Sequence, residues 1–320
     1  MNQLNNDQLK VGLAQIAPVW LNREKTFQKV LEYTQKAINE RCDLVAFGEG
    51  VLPGYPFWIE RTGGAIFNSP IQKEFHAHYL TNAVQIESGH LDQLCVTARE
   101  NQIAVMLGCI ERPLDRGGKS LYASLVYIDR SGIIQSVHRK LVPTYEERLT
   151  WSPGDGHGLR THALGPFTIG GLNCWENWLP LARAALYGQG EDLHVAVWPG
   201  GSHNTQDVTR FISVEARSFV LSVSGLMRSG DFPPETPYLS EILGNSSEYL
   251  ANGGSCIAGP DGKWIVEPVV GEETLIIAKL DYNRIREERQ NFDPAGHYSR
   301  PDVLQLTINR QRQSTLKIND

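Results

Sequence analysis

An α/β fold, with one mixed sheet or two stacked mixed sheets between outer helices, is predicted for this 320-residue chain. Three observations carry that prediction. Short apolar runs alternate with segments at helical spacing, so β-α-β crossovers and parallel strand neighbours are expected. Two connections are instead tight turns between apolar runs, Asp129-Arg-Ser-Gly132 and Pro260-Asp-Gly-Lys263, so antiparallel hairpins are mixed in. Hydrophobic residues make up 41% of a chain long enough to bury a large core, which excludes a disordered, collagen-like or disulfide-stapled protein.

The elements follow in order. Residues 11–16 are a short apolar run and read as a strand. Residues 24–39 place Phe27, Val30, Leu31, Tyr33, Thr34 and Ala37 near helical spacing, hence a helix. Leu44–Phe47 is a second strand, followed by a loop over 48–64 marked by Gly, Pro and aromatics. A helix over 91–101 leads into a strand at 103–107. Residues 121–128 and 133–139 form a hairpin. Phe167–Asn173 is a strand, Pro180–Tyr187 a helix, 194–198 a strand, 208–219 a helix and 220–226 a strand. Three further strands, 255–258, 264–269 and 274–280, close the pattern. No linker or fixed-period repeat interrupts it, so residues 1–303 read as one domain and 304–320 as a polar tail on the surface or on a partner.

Charge and cysteine usage exclude further classes. Thirty basic against 36 acidic residues leave a net charge of −6 with no basic run, which disfavours nucleic-acid or anionic-membrane binding. No apolar stretch is long enough for a membrane span, and residues 1–10 lack a signal-peptide core. Five cysteines without a C-x-x-C pair read as reduced thiols in a cytoplasmic protein.

Three reactive side chains fall at strand ends. Glu49 stands two residues past Leu44–Phe47, Lys140 directly follows the strand ending at Arg139, and Cys174 directly follows Phe167–Asn173. Ligands collect beyond the carboxyl ends of strands in sheets covered by helices, because loops there vary without disturbing the core. Gathered at one edge, the three would form a thiol nucleophile with a base and a cation beside it. Each residue alone has a plainer explanation, a buried thiol, a solvated lysine or a surface glutamate.

Their surroundings are more specific. The segments Leu44-Val-Ala-Phe-Gly-Glu49 with Pro53-Gly-Tyr-Pro56, His138-Arg-Lys140-Leu-Val-Pro-Thr144 with Glu147-Arg148, and Gly170-Gly-Leu-Asn-Cys174-Trp-Glu-Asn177 occur in order. Gly296-His-Tyr-Ser-Arg-Pro-Asp302 closes the series. Together they resemble the nitrilase superfamily of carbon–nitrogen hydrolases, in its true nitrilase branch. The resemblance implies a four-layer α-β-β-α sandwich of two mixed sheets with outer helices. It also implies a Glu49–Lys140–Cys174 triad with Glu147 as an additional glutamate, a homodimer or larger homo-oligomer, and no cofactor. Gly48 stands where the family commonly has proline, which should loosen the backbone there.

Such a site would hydrolyse an organic nitrile to its carboxylic acid and ammonia. A free thiol at pKa near 8.5 is only a few per cent ionised at neutrality, so Lys140 and the start of the helix after Trp178 are expected to favour the anion. Glu49 would act in turn as base, acid and base. Glu147 would aim Lys140, and Lys140 with the Trp175 backbone N–H would stabilise the tetrahedral centre. Tyr55, Trp175 and Trp198 are expected to contribute to a pocket for the small-molecule nitrile.

The nearest rival is an amidase or ureide hydrolase with the same triad. Weaker rivals are a nucleotide binder and a metal hydrolase. For the first, Gly117-Gly-Lys119-Ser120 is P-loop-like but has Pro113 at the required glycine, and Gly154-Asp-Gly156-His-Gly158 has no following helix pattern. For the second, His76 and His78 lack a completing ligand. Asn245-Ser-Ser247 fits a glycosylation sequon that has no use in a protein without export.

Overall fold

The computed structural model describes residues 7–244 and 248–316; the sequon at 245–247 lies outside the described residues. In chain order the strands are β1 (Gln8–Gln15), β2 (Leu44–Phe47), β3 (Ala104–Glu111), β4 (Tyr122–Ile128), β5 (Ile134–Arg139), β6 (His162–Leu164) and β7 (Phe167–Asn173). They continue as β8 (Leu193–Trp198), β9 (Phe219–Ser224), β10 (Leu226–Arg228), β11 (Tyr249–Ala258), β12 (Trp264–Val270) and β13 (Thr274–Asp281). The helices are α1 (Arg23–Asn39), α2 (Trp58–Arg61), α3 (Pro70–Asn82), α4 (Asp92–Asn101), α5 (Pro180–Tyr187), α6 (Ser202–Ala216), α7 (Leu239–Leu243) and α8 (Asn283–Glu288).

Two mixed sheets result. The first has the order β13-β1-β2-β3-β4-β5, parallel at β1/β2 and β2/β3 and antiparallel elsewhere. The second has the order β10-β11-β9-β8-β7-β6, with β12 added to β11, and is parallel at β7/β8 and β8/β9.

Period-two alternation sorts the central strands between a middle layer and two outer ones. Leu44 and Ala46 of β2 meet Val195 and Val197 of β8 in a shared core between the sheets. Val45 and Phe47 face the other way, under Phe27, Val30, Tyr33 and Ala37 of α1 and Leu94 and Ala98 of α4. On the far side Ala196 and Trp198 lie under Val208 and Ile212 of α6, and Leu172 lies under Ala182, Ala185 and Leu186 of α5. The architecture is therefore helix, sheet, sheet, helix. No described helix is long and apolar enough to cross a membrane.

Local signals account for the differences from expectation. Helix α6 starts at Ser202 and stops at Ala216, because Arg217 turns left-handed and Phe219 already belongs to β9. The strand expected over 220–226 breaks at Gly225, whose N–H turns to the Trp198 carbonyl, so β9 and β10 are separate. Helix α3 was not anticipated. Phe75 and Tyr79 are its buried residues, too few for an apolar stripe, although Ser69 caps it and Pro70 occupies its first turn. His76 and His78 sit on this helix two positions apart and so point away from each other, and His78 Nε2 bonds the Leu21 carbonyl instead. The glycine-rich segment at 154–158 has a packing reason rather than a phosphate-binding one. A Cβ at Gly154 would lie 2.1 Å from the Arg139 carbonyl oxygen, and one at Gly158 would lie 2.2 Å from His138 Cα.

Residues 304–316 lie on the surface, their end beside β5. Arg312 reaches Asp155 at 2.9 Å and the Val137 carbonyl at 3.1 Å, and Arg310 reaches the Leu159 carbonyl at 3.1 Å.

Candidate active site

β2 and β5 of the first sheet and β7 of the second end on the same side of the sandwich, and Glu49, Lys140 and Cys174 follow them. All three are buried, and carboxylate oxygens of Glu49 and Glu147 lie with Cys174 Sγ inside a cluster no wider than 4.8 Å. Lys140 Nζ is 2.9 Å from Glu49 Oε1 and 2.7 Å from Glu147 Oε2. The four groups expected to share a site do meet. Two carboxylates and a thiol could hold a metal, but the Lys140 ammonium already supplies the cation between the two carboxylates.

The two carboxylates are held differently. Glu147 accepts from Lys140 Nζ at 2.7 Å, from the Thr144 backbone N–H at 2.6 Å and from the Tyr55 hydroxyl at 2.9 Å. The Thr144 bond belongs to a capping box that opens the 3₁₀ turn Tyr145–Leu149, so local sequence fixes this glutamate. Glu49 pairs with Lys140 at 2.9 Å, and among the described residues no other donor reaches its buried oxygens. Its lone pairs are thus available to a proton from a neighbouring thiol or water. Burial, with Glu147 nearby and against the pull of Lys140, pushes the Glu49 carboxyl up to about 8.

The sulfur differs from expectation. Burial outweighs Lys140 and lifts the Cys174 thiol well above its usual range, with Glu49 and Glu147 adding to the rise. Lys140 goes the other way: the charge of an ionised Cys174 and of Glu49 and Glu147, with the hydrogen bond to Glu147, outweighs its burial and raises it above the usual lysine range. The backbone N–H facing the sulfur is that of Trp175, within the 3₁₀ turn Cys174–Trp178, rather than the start of α5.

Cys174 has φ of +46°, a left-handed conformation that costs a non-glycine residue about 1–3 kcal/mol. Asn177 holds it there, donating from Nδ2 to the Cys174 carbonyl at 2.8 Å. His194 Nε2 meets Asn177 Oδ1 at 2.7 Å, and its other ring nitrogen lies 2.9 Å from Glu191. Gly170 belongs to this arrangement, since a Cβ there would lie 2.3 Å from Glu191 Oε1. None of His138, Glu176, Asn177, Glu191 and His194 was singled out from the sequence as a site residue. Glu176 and Asn177 lie within the quoted cysteine segment, and that proximity was the available signal.

The aromatic residues divide. Trp175 is half exposed and its indole donates to Asn204 at 3.3 Å. Tyr55 faces inward, with its ring 5.6 Å from Trp151 and its hydroxyl on Glu147. The Trp198 indole is fully buried beneath Cys174 and donates to Ser222, so it is placed as core rather than as a pocket wall. Its carbonyl has another part, accepting the Glu49 N–H at 3.1 Å. Gly48 is not loose: a Cβ there would lie 2.9 Å from both that carbonyl oxygen and the Gly225 nitrogen. A cavity of about 410 Å³ lined by Trp20, Phe75 and His78 contains none of the triad, so the chemistry and not the void locates the site.

Comparison with known proteins agrees. Residues 10–290 match the carbon-nitrogen hydrolase family. Nitrilase 2 from an unknown prokaryotic organism is 37% identical over 98% of this chain and 96% of its own length. An aliphatic nitrilase of Rhodococcus rhodochrous is 34% identical over 96% and 84%, and Nitrilase 1 of Arabidopsis thaliana is 32% identical over 96% and 89%. A carbon-nitrogen hydrolase structure from Helicobacter pylori shares the fold, with a TM-score of 0.67 at 17% identity over 92% of this chain and 96% of that one. Sequence order, fold and similarity converge: the chain belongs to the carbon–nitrogen hydrolase family, in its nitrilase branch.

Proposed function

We propose that this protein is a nitrilase, converting an organic nitrile and two waters to a carboxylic acid and ammonia, with Cys174 as nucleophile. One observation carries the reading: a buried thiol and two buried carboxylates share one cluster, with an ammonium between the carboxylates. Near full-length similarity to proteins named nitrilases supports the nitrile as substrate.

Glu49 takes the thiol proton as sulfur attacks the nitrile carbon, then returns it to nitrogen to give a thioimidate. Water adds with Glu49 again as base, and Glu49 passes that proton to nitrogen; it then relays the hydroxyl proton to the same nitrogen as the C–N bond of the tetrahedral adduct breaks, so that ammonia leaves a thioester. A second water, deprotonated the same way, releases the acid and restores the thiol. Lys140 and the Trp175 N–H stabilise charge developing at the tetrahedral centre, an effect worth about 3–4 kcal/mol per donor in comparable sites. Tyr55 and Glu147 keep Lys140 aimed.

The reading extends to one hydrolase domain over residues 1–303 with the surface tail at 304–320. Five free cysteines support a reducing compartment such as the cytoplasm. Exposed Leu181, Phe211 and Val214 on α5 and α6 support self-association as a homodimer or larger oligomer.

Ammonia release from matched nitrile and amide substrates tests the reading. The nitrile should be the better substrate, and Cys174→Ala should lower its turnover at least about a thousandfold without loss of fold. Wild-type turnover in that variant, or amide turnover alone in the native enzyme, contradicts it.

A further inference from the structure

Glu176 is buried two residues beyond Cys174 and takes no part in the steps above. Its two oxygens meet three N–H groups. Oε1 accepts from the Leu141 backbone at 2.8 Å; Oε2 accepts from the Asn173 backbone at 3.0 Å and from His138 Nε2 at 2.9 Å. Leu141 immediately follows Lys140, and Asn173 immediately precedes Cys174. A single carboxylate thus ties the residue beside the ammonium, just past the end of β5, to the residue beside the sulfur, at the end of β7.

Helix capping explains half of this. A glutamate three residues after Asn173 that accepts the Asn173 N–H is an ordinary capping box. The bond to Leu141, 35 residues away, serves no cap and joins the segments that follow β5 and β7. The three donors also suit an ionised carboxylate, which only accepts, and they hold the Glu176 carboxyl below its usual range despite burial. Glutamine could not replace it, because its amide would turn a donor toward one of the three N–H groups.

We propose that Glu176 is a positioning residue whose carboxylate sets the reach between Lys140 and Cys174 Sγ by clamping Leu141 N–H and Asn173 N–H together. The idea rests on Cys174 and Lys140 as the reacting pair described above, yet its test needs no nitrile. In the full chain, iodoacetamide alkylation of Cys174 is followed against pH by peptide mass, which separates it from the other four cysteines. Glu176→Gln should move the alkylation inflection upward and slow the neutral-pH rate about tenfold, because the sulfur loses its cation. With a nitrile, kcat should fall about a hundredfold while KM stays within about threefold, the pattern of misplaced reacting groups.

His138→Gln supplies the contrast. It removes the imidazole beside Glu176 and leaves both backbone bonds, so it should lower the melting temperature comparably while the inflection stays near native. If Glu176→Gln fails to fold, Glu176→Asp replaces it, being too short to span Asn173 and Leu141 together. A native inflection in the folded Glu176 variant overturns the proposal, as does a His138→Gln shift of the same size. A shift confined to Glu176 variants in a protein that leaves nitriles intact would uphold the clamp and reject the nitrilase reading.

Discussion

In the proposed mechanism, acid–base behaviour turns on Glu49. Its carboxylate must be ionised to accept the thiol proton, and burial holds its carboxyl up at about 8. Below that value the base is protonated and idle, so kcat/KM for a nitrile should rise about tenfold per pH unit toward pH about 8 and then level. A flat profile across the neutral range contradicts this assignment. Tyr55 makes a separate prediction. Tyr55→Phe removes the 2.9 Å bond to Glu147 and leaves a buried carboxylate oxygen short of a donor. The loss should be about 1–3 kcal/mol of stability in urea unfolding and about tenfold in kcat/KM, since Glu147 steadies Lys140. Native behaviour on both counts would make the bond incidental. The meeting of Glu49, Lys140 and Cys174 was legible because each follows an apolar strand inside a distinctive segment. The raised thiol was not, because the balance between burial and the Lys140 charge depends on distances that no spacing encodes.

Among the elements, the ends of strands β2 and β8 fix the backbone of Glu49. They approach each other across the two sheets, where the Glu49 N–H meets the Trp198 carbonyl and no side chain fits at Gly48. Gly48→Ala should therefore cost about 1–3 kcal/mol by overpacking, read as a lower urea midpoint, and should lower kcat more than KM because Glu49 moves with the backbone. An alanine variant with native stability and turnover would show that the approach is slack. Strands β2 and β7 and helix α5 were readable to the residue from apolar runs and proline placement. Helix α3 escaped because its two buried aromatics make no stripe, and the β9–β10 break escaped because Gly225 turns toward a carbonyl on another strand. Trp198 looked like a pocket residue by position; strand alternation turns its indole to the α6 side instead.

At the scale of the whole molecule, the tail ties the outer surface to the segment behind Lys140. Arg312 and the Gln313 backbone N–H both bond Asp155, and Gly154 beside it donates to the Lys140 carbonyl at 2.7 Å. A chain ending at Leu306 should melt about 3–8 °C lower for the loss of these bonds and of Ile308 packing, and an unchanged melting temperature would show the tail merely resting there. The two-sheet stacking was less legible than its parts, since hairpins and crossovers fit one mixed sheet as well as two until the shared core is seen. The proposed chemistry passes through a covalent intermediate on sulfur. Acid-quenched intact protein after mixing with a nitrile, followed by peptide mass mapping, measures that intermediate directly. The account predicts an acyl or thioimidate mass added at Cys174 and absent from Cys174→Ala; acid and ammonia formed with no adduct, or an adduct on another residue, would contradict it.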